Sequence, residues 1–341
     1  MSFKTSFTIG GREIGPSAPC LIIAEAGVNH FGSMEKAFKL VDMAVQAGAD
    51  VLKIQHFHTE RMIGRSAGEW RDRMRSKELS EDQVRGIKSY CEQSGILFLC
   101  TPHDDWALQF LDRELNLSAF KIGSGEVENW PFLEKVAQFG KPIILSTGMY
   151  SIDQIRQAVK VIGENGCTSL AILHCVTSYP APPDSINLRV MDEIRSFFPG
   201  PVGYSDHTAG TAVPLAAIAR GAMVLEKHIT LDRDVPNAQD WKVSCDPSNF
   251  ATFIAQAREV EASLGRQQKE IGKEEQTSLL WARKSLHAIG AIAAGQTIEA
   301  DMLVSQRPGM GISPAHLQAV IGRSAIRDIP AGDMLYWNMV G

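Results

Sequence analysis

Tyr204-Ser205-Asp206-His207-Thr208 and Leu225-Glu226-Lys227-His228 each set a histidine just past a short apolar run, Pro201–Gly203 in the first and Ala222–Leu225 in the second. A helix-like segment, Ala209–Arg220, separates them. If both runs are adjacent parallel strands, the two histidines stand side by side at one end of a sheet, about 5 Å apart in strand spacing. Two imidazoles with no further ligand evident nearby describe an open metal site, with water or substrate in the remaining positions. The plainer account is a histidine that caps a strand by hydrogen bonding, so the rest of the chain has to decide.

Working outward, the same beat of apolar run and helical pattern recurs. It reads Cys20–Ala24 then helix Met34–Ala47, Val51–Ile54 then Glu81–Ser94, Ile96–Cys100 then Asp104–Asn116, and Ala119–Ile122 then Trp130–Phe139. It continues with Pro142–Leu145 then Ile152–Asn165, Leu170–Leu173 then Asn187–Phe198, Pro201–Gly203 then Ala209–Arg220, and Ala222–Leu225 then Ser248–Leu264. The runs are continuously apolar rather than alternating, as strands covered on both faces are. Gly48, Gly95, Gly140, Gly166 and Gly221 sit where helices should end. Eight strand–helix units predict a (β/α)8 TIM barrel over residues 1–264. An open doubly wound sheet would favour a glycine-rich loop after its first strand, and Glu25-Ala26-Gly27-Val28-Asn29 is not one.

Residues 1–18 hold two short segments about Gly10-Gly11, which predicts a hairpin lid. Residues 265–283 are polar and charged, a linker or exposed helix. Residues 284–341 form a small β-rich domain with an internal echo: Ile292-Ala-Ala-Gly295 through Leu303 against Ile329-Pro-Ala-Gly332 through Val340. So short a domain buries little core alone and is expected to pack against something, a partner subunit among the options.

Composition narrows the function. Hydrophobic residues at 44% and charged residues at 21% are ordinary for a globular chain, and a net charge of -5 gives no reason to expect nucleic acid or an anionic membrane as partner. No run approaches the ~18 apolar residues of a membrane span, and Met1–Gly15 lacks an apolar signal core. The six cysteines are scattered, which reads as reduced and cytoplasmic.

The polar residues gather at the C-terminal ends of the predicted strands, where barrel catalysis sits. Of the nine histidines, His30, His56, His58, His103, His174, His207 and His228 fall there and none on a barrel helix. Lys53 and Lys121 stand among Thr101, Ser124, Ser146, Thr147 and Ser205, a mixture suited to a small, highly charged anion such as a phosphorylated carboxylate. By strand alternation Glu226 and His228 share a face and Lys227 takes the other. Glu25 and Glu126 are candidates for acid–base work or for orienting a metal-bound water. The donor types admit manganese, magnesium, zinc or iron.

Together, Ile23–His30, Lys53-Ile-Gln55, Lys121–Glu126, Ser146–Met149, Tyr204–Thr208 and Glu226–His228 resemble the sialic acid synthases, including the legionaminic and pseudaminic acid synthases and the spore-coat polysaccharide relatives. The tail, with Gln306-Arg307-Pro308-Gly309, resembles their C-terminal antifreeze-like (SAF) domain. The resemblance covers essentially the whole chain in order. It implies condensation of phosphoenolpyruvate with an N-acylated amino-sugar aldehyde (N-acetylmannosamine or a diacetamido-trideoxy hexose), with release of phosphate, in a domain-swapped homodimer. It implies a divalent metal, manganese foremost, on His207 and His228. Lys53, Thr101, Lys121, Ser124, Ser146 and Ser205 would clamp phosphoenolpyruvate; Glu25 would orient the metal-bound water and Glu126 would handle protons near the reacting carbons. Gln55, Tyr179 and Asp240 would face the sugar, with Arg307 reaching in from the other subunit. Thr177 and the stretch Ala238–Ser244 depart from the family pattern, and both fall where the acceptor should sit. Two other readings stand beside this one: a Schiff-base aldolase using Lys53 or Lys121, and a non-catalytic carbohydrate-binding protein.

Overall fold

The computed structural model describes residues 2–341 except Asn237 and Gln239. One compact unit ends at Gly265 and a second runs from Arg266 to Gly341. In the first, eight parallel strands form a ring: β3 (Leu21–Gly27), β4 (Val51–His56), β5 (Leu97–Pro102), β6 (Phe120–Ile122), β7 (Ile143–Ser146), β8 (Leu170–Cys175), β9 (Val202–Asp206) and β10 (Val224–His228). The ladder runs β5-β4-β3-β10-β9-β8-β7-β6, and β5 lies beside β6, which brings the barrel nearly to closure. The fold is the TIM barrel that the alternating runs predict.

Helices begin and end where local chemistry says they should. Ser80 and Ser151 cap helices Glu81–Gln93 and Ile152–Glu164, each in a reciprocal box with the glutamine three residues on. Gly48 ends helix Met34–Ala47 at φ 80°, with its N–H returned to the carbonyls of Ala44 and Val45; a side chain there would be strained.

Most of the strands run longer than their apolar runs, and the extension carries the function. Strand alternation points Leu21, Ile23 and Glu25 inward on β3, Val51, Lys53 and Gln55 on β4, and Val224, Glu226 and His228 on β10. The lower inward residues pack together as one apolar cluster: Leu21, Ile23, Val51, Leu99, Ala119, Ile144, Ala171, Leu173 and Val224. Phe7, Ile9 and Ile14 belong to the same cluster. They come from the hairpin β1 (Phe7–Ile9) and β2 (Arg12–Ile14), paired Phe7 to Ile14. The predicted lid is therefore a floor. Its apolar residues can be dried only by the apolar end of the barrel interior, opposite the polar rim.

The outward residues, among them Ile22, Ala24, Leu52, Ile54 and Phe98, meet the helix layer in a second, larger core. No helix among the described residues is long and apolar enough to cross a membrane. All six cysteines are free and buried.

In the second unit, β11 (Ser285–Ala288) and β12 (Leu303–Gln306) pair antiparallel over a core that includes Leu286, Ile298, Ile312, Ile329 and Leu335. The sequence echo has a physical counterpart. Ile292 and Ile329 exchange both backbone hydrogen bonds, at 2.9 and 2.8 Å, and each copy contains a 3-10 turn, Ala300–Met302 or Trp337–Met339. Within the segment read as linker or exposed helix, Gln276–Ala282 is helical, with Leu280 and Trp281 exposed.

Candidate active site

A cavity of about 1090 Å³ opens at the C-terminal end of the barrel. Glu25, Lys53, Gln55, Thr101, Lys121, Ser124, Glu126, Ser146, Tyr179, Ser205, His207, His228 and Asp240 all line it. Of the other sequence candidates, Thr147 donates its hydroxyl to the Leu173 carbonyl at 2.9 Å, and Arg307, in the second unit, is exposed with its guanidinium 5.5 Å from the centre of the Trp281 ring. Thr177 lines the cavity as well, and Gly148 beside it admits no side chain. A Cβ there would come within 2.2 Å of Thr177 Oγ1 and 2.9 Å of Ser124 Oγ. Gln239, within the divergent stretch Ala238–Ser244, lies outside the described residues.

The floor of the cavity is a cluster of four buried charges. Lys53 Nζ lies 2.7 Å from Glu25 Oε2 and 3.7 Å from Glu226 Oε2, while Lys121 Nζ lies 3.4 Å from Glu226 Oε1. Strand register makes this geometry: Glu25 sits beside Lys53 across the β3–β4 ladder, and Glu226 beside Ser205 across β9–β10. Lys53 also donates to Thr101 Oγ1 (3.2 Å), Gln55 to Glu25 Oε1 (2.9 Å), and Ser205 to Glu226 Oε1 (3.2 Å). Isolated charges would not survive this burial, and paired ones do.

Their proton affinities diverge accordingly. Burial raises the pKa of Glu25 despite the Lys53 ammonium. Burial also opposes ionisation of Glu226, but Lys121 and Lys53 on either side overcome it and hold its pKa below the usual carboxylate range. Lys53 is held above its ordinary value because Glu226 and Glu25 outweigh burial, whereas burial and the neighbouring Lys53 depress Lys121. Glu126, nearer the mouth, is raised by burial and accepts a hydrogen bond from Asn129 Nδ2 at 2.6 Å.

His207 and His228 face each other with ring centres 5.4 Å apart. His207 Nδ1 donates to the Val176 carbonyl at 2.8 Å, so the neutral ring carries its lone pair on Nε2, where the Tyr179 hydroxyl donates at 3.0 Å. His228 Nδ1 is buried without a hydrogen-bond partner, 4.0 Å from Asp240 Oδ2. Burial drives both imidazoles toward the neutral, ligating form. Two neutral rings, one with an orphaned buried nitrogen, fit a divalent cation whose other positions stay open. Among the described residues no third His, Cys, Asp or Glu completes a protein-only metal cage.

The opening motifs also build the wall behind these rings. Lys227, turned away from the cavity, donates to Asp206 Oδ2 (2.5 Å) and to the carbonyls of Thr208 (2.7 Å) and Gly210 (3.1 Å). Asp206 also accepts from the Tyr204 and Thr208 hydroxyls. This satisfied buried network fixes the loop that carries His207.

Sequence reasoning had not marked Glu226 as a site residue, although its shared face with His228 was the available signal. It overshot on the histidines. Only His103, His207 and His228 of the seven line the cavity. His174 Nε2 donates to the Ile186 carbonyl at 2.6 Å, His30 Nδ1 accepts from the Gly32 N–H at 3.0 Å, and His56 packs on Phe110. They lie outside the cavity because alternation or the following turn directs them into the packing around the barrel.

A (β/α)8 barrel whose rim holds paired lysines, carboxylates and an open two-histidine site defines an enzyme acting on a small anion. The NeuB family matches residues 40–269 and the SAF domain residues 283–341. An uncharacterized protein of Methanocaldococcus jannaschii is 40% identical over 332 residues, 97% of each chain. The N,N'-diacetyllegionaminic acid synthase of Campylobacter jejuni is 36% identical over 330 residues, 92% of this chain and 98% of its own. The N-acetylneuraminic acid (sialic acid) synthetase structure from Leptospira borgpetersenii superposes with a TM-score of 0.75 at 32% identity, covering 82% of this chain and 96% of that one. The chain belongs to the NeuB family, and so to the phosphoenolpyruvate-condensing transferases.

Proposed function

We propose that this enzyme condenses phosphoenolpyruvate with an N-acylated amino-sugar aldehyde to form a nonulosonic acid and inorganic phosphate. The observation that carries the reading is the buried Glu25–Lys53–Glu226–Lys121 cluster directly beneath the His207/His228 pair. Lys53 and Lys121, with Thr101, Ser124, Ser146 and Ser205, would receive the phosphate and carboxylate of phosphoenolpyruvate. Ser146 Oγ is buried there without a hydrogen-bond partner, as a substrate-directed hydroxyl would be.

Carbon three of phosphoenolpyruvate would attack the aldehyde, water would add to carbon two, and cleavage of the C–O bond would expel phosphate. Glu25, held by Gln55 and Lys53, would orient that water and take its proton. Its burial-raised pKa suits the task. Glu126 would manage protons near the reacting carbons. Gln55, Tyr179 and Asp240 would position the sugar. A divalent cation held by His207 and His228, manganese first among candidates, would supply Lewis acidity toward the aldehyde oxygen. A cytoplasmic homodimer, with Arg307 of one copy serving the other, is part of the same proposal.

A Schiff-base route has one observation in its favour, the depressed pKa of Lys121. Borohydride trapping separates the two: a covalent adduct at Lys121 with a keto substrate would replace the condensation reading. The positive test is phosphate release from phosphoenolpyruvate with Mn²⁺ across N-acetylmannosamine, its 6-phosphate and diacetamido-trideoxy hexoses. Release with one of these, stopped by a chelator, is the expected result. Silence across the panel with Mn²⁺ bound would reject these acceptors.

A further inference from the structure

Between β4 and helix Glu81–Gln93 the chain makes an excursion, residues 57–80, that contains two short helices, Thr59–Met62 and Gly68–Arg75. No sequence motif marked it. It brings Lys77 to the cavity wall, where the residue is only 8% exposed. Among the described residues, no hydrogen bond or ion pair holds its ammonium. Buried lysines nearly always have a partner, and one left without it in the wall of a polar cavity is set for something that enters the cavity.

Asp240 lines the same cavity. Each group feels the other's charge, Asp240 favouring the charged form of Lys77 and Lys77 that of Asp240, yet they form no ion pair. Burial dominates both, pulling the lysine down and the aspartate up. Asp240 Oδ2 is also 4.0 Å from His228 Nδ1, so this gap borders the two-histidine site. An ammonium that only donates and a carboxylate that only accepts, held apart, match a group offering both an acceptor and a donor. Neighbouring hydroxyls of a polyol, or a hydroxyl beside an amide carbonyl, have that character.

We propose that Lys77 and Asp240 form a two-sided clamp on the polyol chain of the acceptor sugar, with Lys77 donating to one oxygen and Asp240 accepting from the neighbouring hydroxyl. The proposal rests on the amino-sugar reading above and adds Lys77 as a residue that sets acceptor choice. Because the clamp touches the acceptor and leaves the charge cluster alone, the two substrates should report differently on its loss.

The test uses the full-length protein with Lys77→Met, which keeps the aliphatic stem, and Lys77→Arg, which keeps the charge. The KM for the acceptor should rise at least ~10-fold in Lys77→Met while that for phosphoenolpyruvate stays within about twofold, and Lys77→Arg should recover part of the loss. Equal changes for both substrates, or none, would overturn the clamp. Ligand-observed NMR with N-acetylmannosamine supplies an arm independent of turnover. Weaker binding to Lys77→Met than to wild type supports the clamp, and equal binding overturns it. Wild type that binds phosphoenolpyruvate but no amino sugar would overturn the acceptor reading and the clamp with it. Should Lys77→Met fail to fold, Lys77→Gln takes its place in both arms.

Discussion

The two ends of the barrel interior are built from the same strands and differ by one inward residue. Ile23 gives way to Glu25, Val51 to Lys53, Leu99 to Thr101, Ala119 to Lys121, Ile144 to Ser146 and Val224 to Glu226. One step of two residues, about 6.6 Å along a strand, separates a dry floor sealed by a hairpin from a rim of charges. The floor supplies apolar burial and asks nothing of geometry beyond volume. The rim places four buried charges that are stable only in one another's company. A barrel can afford such a rim because its lower half, and the helix layer outside, carry the folding.

If that division holds, damage at the two ends should look different. The largest effect on turnover is expected from His207→Ala or His228→Ala. Phosphate release should fall roughly a thousandfold, the scale of several kcal/mol of lost charge stabilisation, with the melting temperature unchanged. A variant that keeps wild-type turnover would remove the histidines from the site. Next comes Leu173→Ala on the floor, which should cost about 2–5 kcal/mol in denaturant titration and leave the KM for phosphoenolpyruvate unaltered. Glu226→Gln sits between the two classes. It removes the carboxylate paired with Lys121 and one of the two paired with Lys53, so it should cost on the order of 3 kcal/mol and weaken phosphoenolpyruvate handling together. Loss of stability without a kinetic change would make Glu226 a structural residue only.

A subtler contrast is written in pH. Burial lowers the pKa of His56 from 6.5 to about 4, so the unfolded chain binds its proton first as the solution is acidified. Its contribution is fully present above pH 6.5 and is lost between there and about pH 4, worth on the order of 3 kcal/mol over that window. His56→Phe, packed against Phe110, should flatten the stability profile across that window and leave turnover at pH 7 alone. An unchanged slope would mean His56 is not the group. The smallest effect belongs to the ion pair between the exposed Arg12 of the hairpin and the buried Asp50, which Arg258 also holds; Arg12→Ala should change stability by less than about 1 kcal/mol and activity not at all.

How much of this could be read from the chain follows the same division. The apolar runs and the glycines after helices revealed eight units because parallel strands and helix ends obey local rules. The strand ends were drawn too short at Gln55, Ser205 and Glu226, since a polar residue inside a barrel looks like a loop residue until the register turns it inward. For that reason Glu226 went unmarked and the hairpin was assigned to the wrong end. His30, His56 and His174 were over-read, because their turn or face decides whether they meet solvent, core or cavity. Lys77 was invisible: its position depends on an excursion with no periodic pattern, and its significance comes from a missing partner that only three dimensions reveal.

The most direct test of the account follows the bridging oxygen of phosphoenolpyruvate labelled with ¹⁸O between carbon two and phosphorus. The account predicts that the label leaves with inorganic phosphate, that release requires an amino-sugar acceptor, and that chelation stops it. Label retained in the organic product would mean P–O cleavage and would contradict the mechanism drawn from this rim.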